Sequence, residues 1–223
     1  MRRLILLLPL SLSPVYAIGF WGSLDWGLNF GGFGEMRGKG ELFEDTVTFK
    51  IGASAKDFIA GGNLMGGVSL QPIPIAIGLG VDYYAGTQKY EFDAWSIVVE
   101  DTLEVKRTYI KLPVAYQLSL PMLKGYFGIY PAYALYSVKG KGEPDSTSYW
   151  MKGRGELDSE SIVFKGLAFG FFTNLYYSIG PVGIGGGVFV DYGPRFKGSV
   201  THINNVLYLG INLGLLVSLG VLE

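Results

Sequence analysis

The sequence predicts an all-β protein: a closed antiparallel up-and-down transmembrane β-barrel of about eight strands. Three observations carry that expectation. First, of 223 residues only 17% are charged, where a soluble domain carries about 25%, and the mean hydropathy is +0.31. Second, beyond the first residues no apolar run approaches the roughly 20 residues that a spanning helix needs. Third, the apolar residues alternate with small and polar ones at a period of two, the period at which successive side chains of a strand face opposite sides. Only helices and closed barrels cross lipid, because every backbone N–H and C=O there must be paired within the chain.

Residues 1–17 read as a signal peptide and residues 18–223 as the barrel domain. Arg2 and Arg3 give a positive start, Leu4 to Leu12 a short apolar stretch broken by Pro9, and Val15, Tyr16 and Ala17 a small–x–small cleavage site. The prolines Pro9 and Pro14 and the serines Ser11 and Ser13 interrupt this run, which speaks against an anchor helix.

The first strand is expected from about Gly19 to Met36, with Phe20, Leu24, Trp26, Leu28, Phe30 and Met36 on one face. A charged turn, Lys39 to Asp45, follows. In the second strand Val47, Phe49 and Ile51 share a face that Phe58, Leu64, Val68 and Leu70 hold later with the opposite parity. Such a phase change predicts a bulge near Ala55 to Asp57. After a short turn at Gln71 and Pro72 come Ile73, Ile75, Ile77, Leu79, Val81 and Tyr83 in alternation, then a polar loop at Glu91 to Asp101. The fourth strand alternates from Ile110 to Leu120, and Pro121 to Lys124 is a short turn. The fifth carries Phe127, Ile129, Tyr133 and Leu135. The longest loop, Lys139 to Glu160, precedes a strand with Leu167, Phe169, Phe171, Leu175 and Tyr177. A short turn at Gly180 and Pro181 leads to Val182, Ile184, Val188, Val190 and Tyr192. A loop at Pro194 to Asn204 leads to the last strand, Leu207 to Leu219.

The composition of the second face decides which side looks inward. A soluble barrel would place its aliphatic face inside and cover the outside with Lys, Glu, Thr and Arg. Here the second face is mostly Gly, Ala and Ser with isolated polar residues, which suits the narrow interior of a small barrel. The aliphatic face then meets lipid, and short turns alternate with longer loops as in outer-membrane barrels. Tyr83, Tyr84, Tyr90, Trp95 and Tyr109 are expected in an aromatic girdle. The inward charges are Asp25, Glu35, Asp82, Arg107, Lys111, Asp191 and Arg195. Enclosed charges must pair, so Lys111 is expected to meet Asp25, Asp82 or Asp191 in a polar plug, with a lined pore or a ligand site as the alternative.

The run Arg107, Thr108, Tyr109, Ile110, Lys111, Leu112, Pro113, Val114, Ala115, Tyr116, with Gly125, Tyr126, Phe127, Gly128, Ile129, Tyr130, Pro131, Ala132 and Tyr133 after a short turn, resembles the middle hairpin of outer-membrane β-barrel domain proteins. By layout the resemblance extends over about residues 18–223, to the small eight-stranded class typified by outer membrane proteins A, X and W. It implies the outer membrane of a Gram-negative-type bacterium, outer-membrane lipid as surroundings, and the barrel assembly machinery as a partner during insertion. The charges of Lys139 to Glu160 read as a solvated outer loop, with a contact to lipopolysaccharide or a partner as the alternative. The family's last strand usually ends on an aromatic residue; here alternation runs through Leu215, Val217, Leu219 and Val221 to Glu223.

The residue inventory argues against catalysis. There is no cysteine and one histidine, His202, which removes thiolate chemistry and a His-based metal site. Ser199 and Thr201 are near His202 in sequence, but that is not triad geometry. The glycines Gly183, Gly185, Gly186 and Gly187 lie within a strand pattern, not before a helix, so they do not form a phosphate loop. The net charge of −1 gives no reason to expect nucleic acid. The expected function is therefore a structural or interaction role for a monomeric, porin-like barrel with a plugged lumen, no enzymatic activity and no cofactor. Alternatives are a narrow channel for small or apolar solutes, a lipid-acting enzyme, and a soluble secreted binding barrel.

Overall fold

The computed structural model describes residues 17–42, 45–71, 73–94, 97–140, 161–199 and 201–219. The expected signal peptide lies outside them, apart from Ala17. Ten segments follow in order: β1 Ala17–Leu42, β2 Asp45–Ala55, β3 Phe58–Gln71, β4 Ile75–Ala94, β5 Ile97–Lys111, β6 Val114–Leu120, β7 Leu123–Gly140, β8 Ile162–Ile179, β9 Val182–Lys197 and β10 Thr201–Leu219. All pairings are antiparallel, and β10 pairs with β1, which closes the sheet. β2 and β3 occupy one place in the ring, as do β5 and β6, so the barrel has eight strands. The first interruption falls at Lys56 and Asp57, the second at Leu112 and Pro113, where a proline cannot donate to the ladder.

Tight turns close one end of the barrel, at Pro121–Met122 and Gly180–Pro181. Gly180 takes a φ of +61°, a left-handed conformation that glycine adopts without steric cost. At the other end the strands run on far past the roughly 9–11 residues that cross a bilayer. Glu91 to Asp101 is not a polar loop: β4 continues to Ala94 and β5 begins at Ile97, with these two residues paired. Lys39 to Asp45 and Pro194 to Asn204 are likewise mostly strand, in β1–β2 and β9–β10. Of the long loop, residues 141–160 lie outside the described residues.

The two halves of the barrel have opposite polarity. In the half near the tight turns, the aliphatic face is outside: Leu24, Trp26, Leu64, Leu79, Ile129, Phe169, Ile184, Leu213 and their neighbours are exposed. In the half near the long connections, the apolar residues turn inward. Phe33, Met36, Ile51, Phe92, Leu103, Val105, Val138, Phe164, Phe196 and Ile203 are buried together, while Lys50, Lys89, Lys106, Lys165 and Lys197 stand outside. This corrects the expected outward placement of Met36 and Ile51. The physical reason is the solvent: above the lipid the outer wall faces water, so the apolar face must enclose itself. In β2 and β3 the same parity stays outward, Lys50 and Ser54 and then Phe58 and Leu64; what changes is the chemistry of each face.

On β1, β9 and β10 the inward phase itself shifts by one residue. Gly34 and Glu35 both point outward, as do Pro194 and Arg195, and on β10 Asn204 and Asn205 do the same, so that the buried positions pass from Ile203 to Val206. The shifts line up, because Glu35 pairs with Asn204 and Asn204 with Arg195. Asn205 beside them has a φ of +53°, a conformation that asparagine tolerates better than most residues. The ladders skip Gly34 and Pro194 opposite it.

Candidate functional site

The inward face of the middle of the barrel gathers four charges. β4 contributes Asp82, β5 contributes Arg107 and Lys111, and β9 contributes Asp191. All four side chains are buried, Arg107, Asp82 and Asp191 completely. Their convergence follows from parity and register: Asp82 pairs with Tyr109, which lies between Arg107 and Lys111 on the same face of β5. Arg107 Nη1 lies 2.7 Å from Asp191 Oδ2, and its Nη2 lies 3.7 Å from Asp82 Oδ2. These are ionic contacts without hydrogen-bond alignment. Lys111 pairs with Asp82 and donates to the Tyr130 hydroxyl at 3.0 Å. Tyr130 in turn donates to Asp191. The result is a closed circuit of two cations, two carboxylates and a phenol, as the cost of an unpaired buried charge requires.

Tyrosines wrap this circuit. The Arg107 guanidinium carbon stands 4.3 Å from the Tyr109 ring centroid, 4.7 Å from Tyr208 and 4.9 Å from Tyr84. Lys111 Nζ stands 4.1 Å from the centre of Tyr130. A cation over an aromatic face is attracted by the ring quadrupole. Above, Tyr136 bonds Tyr208 at 2.6 Å and Tyr90 at 3.1 Å. Gln88 ties this stack to the wall by donating to the carbonyls of Gly31 and Asp57, each at 2.9 Å. Phe33 stacks on Tyr90 at 4.5 Å, where the apolar upper core begins.

Below the circuit, Asp25 accepts hydrogen bonds from Tyr176 at 2.8 Å and from Ser23 at 3.1 Å. The gap there, between Trp21, Met65, Tyr126, Phe172, Tyr176 and Leu216, leaves no room for a water-sized sphere. Gly170 makes space for the Tyr130 ring: a Cβ on it would fall 2.1 Å from that ring's Cζ.

The remaining expected charges fall elsewhere. Glu35 is not in the lumen: it lies on the outer side of the row where the strands change phase, in register with Asn204 and, through it, with Arg195. It accepts from Asn204 at 2.9 Å and pairs with Lys50 at 2.9 Å and with Arg37. Arg37 beside it, foremost among its neighbours, holds its carboxyl down at about 2. Arg195 is not in the lumen; it is exposed on the outside of β9. The phase shift at Pro194 and Arg195 explains this: two consecutive outward residues put Phe196 inside instead.

The aromatic girdle is also redistributed. Tyr83 is outside, but Tyr84, Tyr90 and Tyr109 are wholly buried, and Trp95 lies outside the described residues. Among the described residues, the aromatics exposed on the outer wall include Phe30, Phe58, Tyr83, Tyr133, Phe169 and Tyr192. The lumen tyrosines were findable: Tyr84 follows Asp82 by two and Tyr109 follows Arg107 by two, on the same face.

His202 lies on the outside of β10, while Thr201 next to it is buried on the inner face. Among the described residues, no group of three or more His, Asp or Glu is placed to hold a metal ion.

No protein-family model matches the chain, and no curated protein matches it. Among solved structures, it is similar in fold to Neisserial surface protein A, with a TM-score of 0.53, 14% identity and coverage of 89% of this chain and 96% of that one. A major outer membrane protein of Thermus thermophilus gives a TM-score of 0.54 at 14% identity, over 89% of this chain and 98% of that one. The outer membrane protein OprG of Pseudomonas aeruginosa gives 0.53 at 11% identity, over 90% and 95%. The fold is that of the small outer-membrane β-barrels.

Proposed function

We propose that the chain is an integral outer-membrane barrel, exported by its signal peptide, that serves a structural or interaction role and conducts nothing through its lumen. The observation that carries this reading is the filled interior. The Arg107–Lys111–Asp82–Asp191 circuit, the tyrosines around it and the apolar upper core of Phe33, Phe164, Phe196 and Ile203 occupy successive levels of one narrow tube. Eight strands enclose a width that side chains alone can fill. The exposed aliphatic wall supports membrane insertion, since a contiguous apolar surface of that extent is foreign to soluble monomers. The external position of His202, on the opposite face from Thr201, favours a non-catalytic role. Lipid is the partner of the wall, the barrel assembly machinery the partner during insertion, and the working unit is a monomer.

Planar-bilayer recording tests this. The purified protein is expected to give no steady open current, whereas Arg107→Ala/Tyr208→Ala, which empties the middle level, opens one. A steady current from the unmodified protein overturns the plugged reading in favour of a narrow channel. Location is tested by gel mobility with and without boiling. A heat-shifted band in the outer-membrane fraction is expected, and an unshifted band in the soluble periplasm overturns the membrane assignment.

A further inference from the structure

One face of the barrel carries an uninterrupted outward row of basic side chains. Lys50 on β2 pairs with Arg37 on β1, Arg37 with His202 on β10, His202 with Lys197 on β9, and Lys197 with Lys165 on β8. All five lie on the outer surface, and Arg195 stands outside on β9 two positions below Lys197. Neighbouring strands are about 4.8 Å apart, so five strands set these groups along an arc of about 19 Å.

The row is short of acid. Glu35 pairs with Arg37 and Lys50. Among the described residues no carboxylate comes within ion-pair distance of Lys165, Arg195 or Lys197. The opposite face differs: there Lys56 is held by Glu91 at 2.7 Å and Glu100 at 2.6 Å, and Lys106 by Glu104 at 2.9 Å. The imbalance is felt by His202, whose imidazole is pushed down by partial burial and by the charges of Arg195, Arg37 and Lys197.

The height of the row identifies what it meets. On β8, Lys165 is the next outward residue after Leu167; on β9, Arg195 and Lys197 follow Tyr192; on β10, Leu207 begins the aliphatic run below His202. On β8 and β9 the cations therefore start where the apolar wall stops, and on β10 and β1 the polar Asn204, Asn205 and Glu35 and Gly34 lie between. Anions fixed at that level are the headgroups of the leaflet whose chains cover the wall. A spread of several cations on adjacent strands suits phosphate, which offers several acceptor oxygens to Arg and Lys at once.

We propose that the row Lys165–Lys197–His202–Arg37–Lys50, with Arg195, is a binding site for the phosphate groups of lipid headgroups in the leaflet at the looped end of the barrel. This rests on the membrane reading above. Binding through this face turns one side of the barrel toward phosphorylated lipid and leaves the ion-paired β4–β5 side indifferent to it.

His202 is the single histidine of the chain, so its imidazole resonances report the site without ambiguity. The whole protein is inserted into phosphatidylcholine nanodiscs with and without bis-phosphorylated lipid A, and His202 is titrated by NMR. Its pKa is expected to rise when the phosphorylated lipid is present, because a nearby anion favours the protonated form. Lys165→Gln/Arg195→Gln/Lys197→Gln is expected to weaken retention of lipid A on the order of tenfold or more. Lys56→Gln/Lys106→Gln should leave retention unchanged. All these side chains are exposed, and a preserved heat-shifted band verifies that each variant folds. An inserted protein whose His202 titration ignores lipid A, or a triple variant that retains it fully, overturns the proposal alone. Inorganic pyrophosphate, added to the phosphatidylcholine discs, raising the His202 pKa as strongly as lipid A overturns the lipid assignment in favour of a soluble anion. Failure of the unmodified protein to enter the discs overturns the membrane reading beneath it.

Discussion

Arg107 Nη1 and Asp191 Oδ2 lie 2.7 Å apart with both side chains wholly buried. Removing one partner of such a pair strands a charge in the lumen, which costs about 3–5 kcal/mol. Arg107→Met should therefore lower stability by that amount, read as the urea midpoint of the heat-shifted band in detergent. Arg107→Met with Asp191→Asn should recover much of the loss, because Lys111 and Asp82 still pair with each other. A double variant no more stable than the single one would show that the circuit is not a charge-balanced unit.

The polarity inversion along the barrel gives opposite predictions at two heights. Leu213 is 75% exposed in the middle of the aliphatic run of β10. In a bilayer, Leu213→Arg should destabilise by about 2–4 kcal/mol, the cost of a cation on the lipid face near the midplane. In water the same exposed site would be nearly indifferent. Ile203, on the same strand but buried in the upper core, should respond to Ile203→Ala by about 2–5 kcal/mol in lipid and detergent alike. Unfolding in vesicles separates the cases; a neutral Leu213→Arg would mean that the wall does not face lipid.

The strand pattern was legible because period-two alternation runs through most of each strand between Phe20 and Leu219, broken within β1, β9 and β10 by a shift of one residue. The tight turns at Pro121 and Gly180 were legible too, since proline and glycine punctuate. The change of apolar parity near Asp57 coincides with the interruption of the second strand, but it does not mark the phase-shifting bulge it suggested: the same parity stays outward, and the apolar residues pass from the inner to the outer face. What the pattern could not carry was the change of solvent along the barrel axis. Ile51 and Met36 look like lipid-facing residues because alternation does not record where the membrane ends. The same blindness placed Tyr84, Tyr90 and Tyr109 in a girdle, although their parity matches Asp82 and Arg107 inside. Arg195 was misplaced for a different reason: the phase shift beside Pro194 depends on Glu35 and Asn204, on strands remote in sequence.

Gly170 and Tyr130 test the filling of the lumen. A Cβ at Gly170 would meet the Tyr130 ring at 2.1 and 2.3 Å and its hydroxyl at 2.4 Å, and that hydroxyl is tied to both Lys111 and Asp191. Gly170→Ala should cost about 1–3 kcal/mol, the usual scale for overpacking. Gly170→Ala/Tyr130→Phe should not relieve it, because the ring itself is the obstacle, whereas Gly170→Ala/Tyr130→Leu should relieve part of the clash. Stability rising in the order Phe, then Leu, on the Gly170→Ala background checks this.

Glu35 sets a pH dependence whose sign follows from its partners. Its carboxyl is held near 2, against an ordinary 4.5, by Arg37 first, with Lys50 and Asn204 adding to it. A depressed carboxyl pKa means that the folded state prefers the ionised form, so the unfolded chain takes up the proton first. The contribution is therefore fully present above about pH 4.5 and lost as the pH falls toward 2. Glu35 fastens β1 to β2 through Lys50 and to β10 through Asn204, so its loss should loosen the phase-shift row before the lipid-covered half. Amide exchange followed from pH 6 down to pH 2 should show Met36 and Ile203 losing protection while Leu209 and Val190 keep theirs. In Glu35→Gln the upper residues should already exchange faster at pH 6 and change less on acidification. Equal pH dependence in the variant and the unmodified protein would assign the acid response to carboxylates elsewhere.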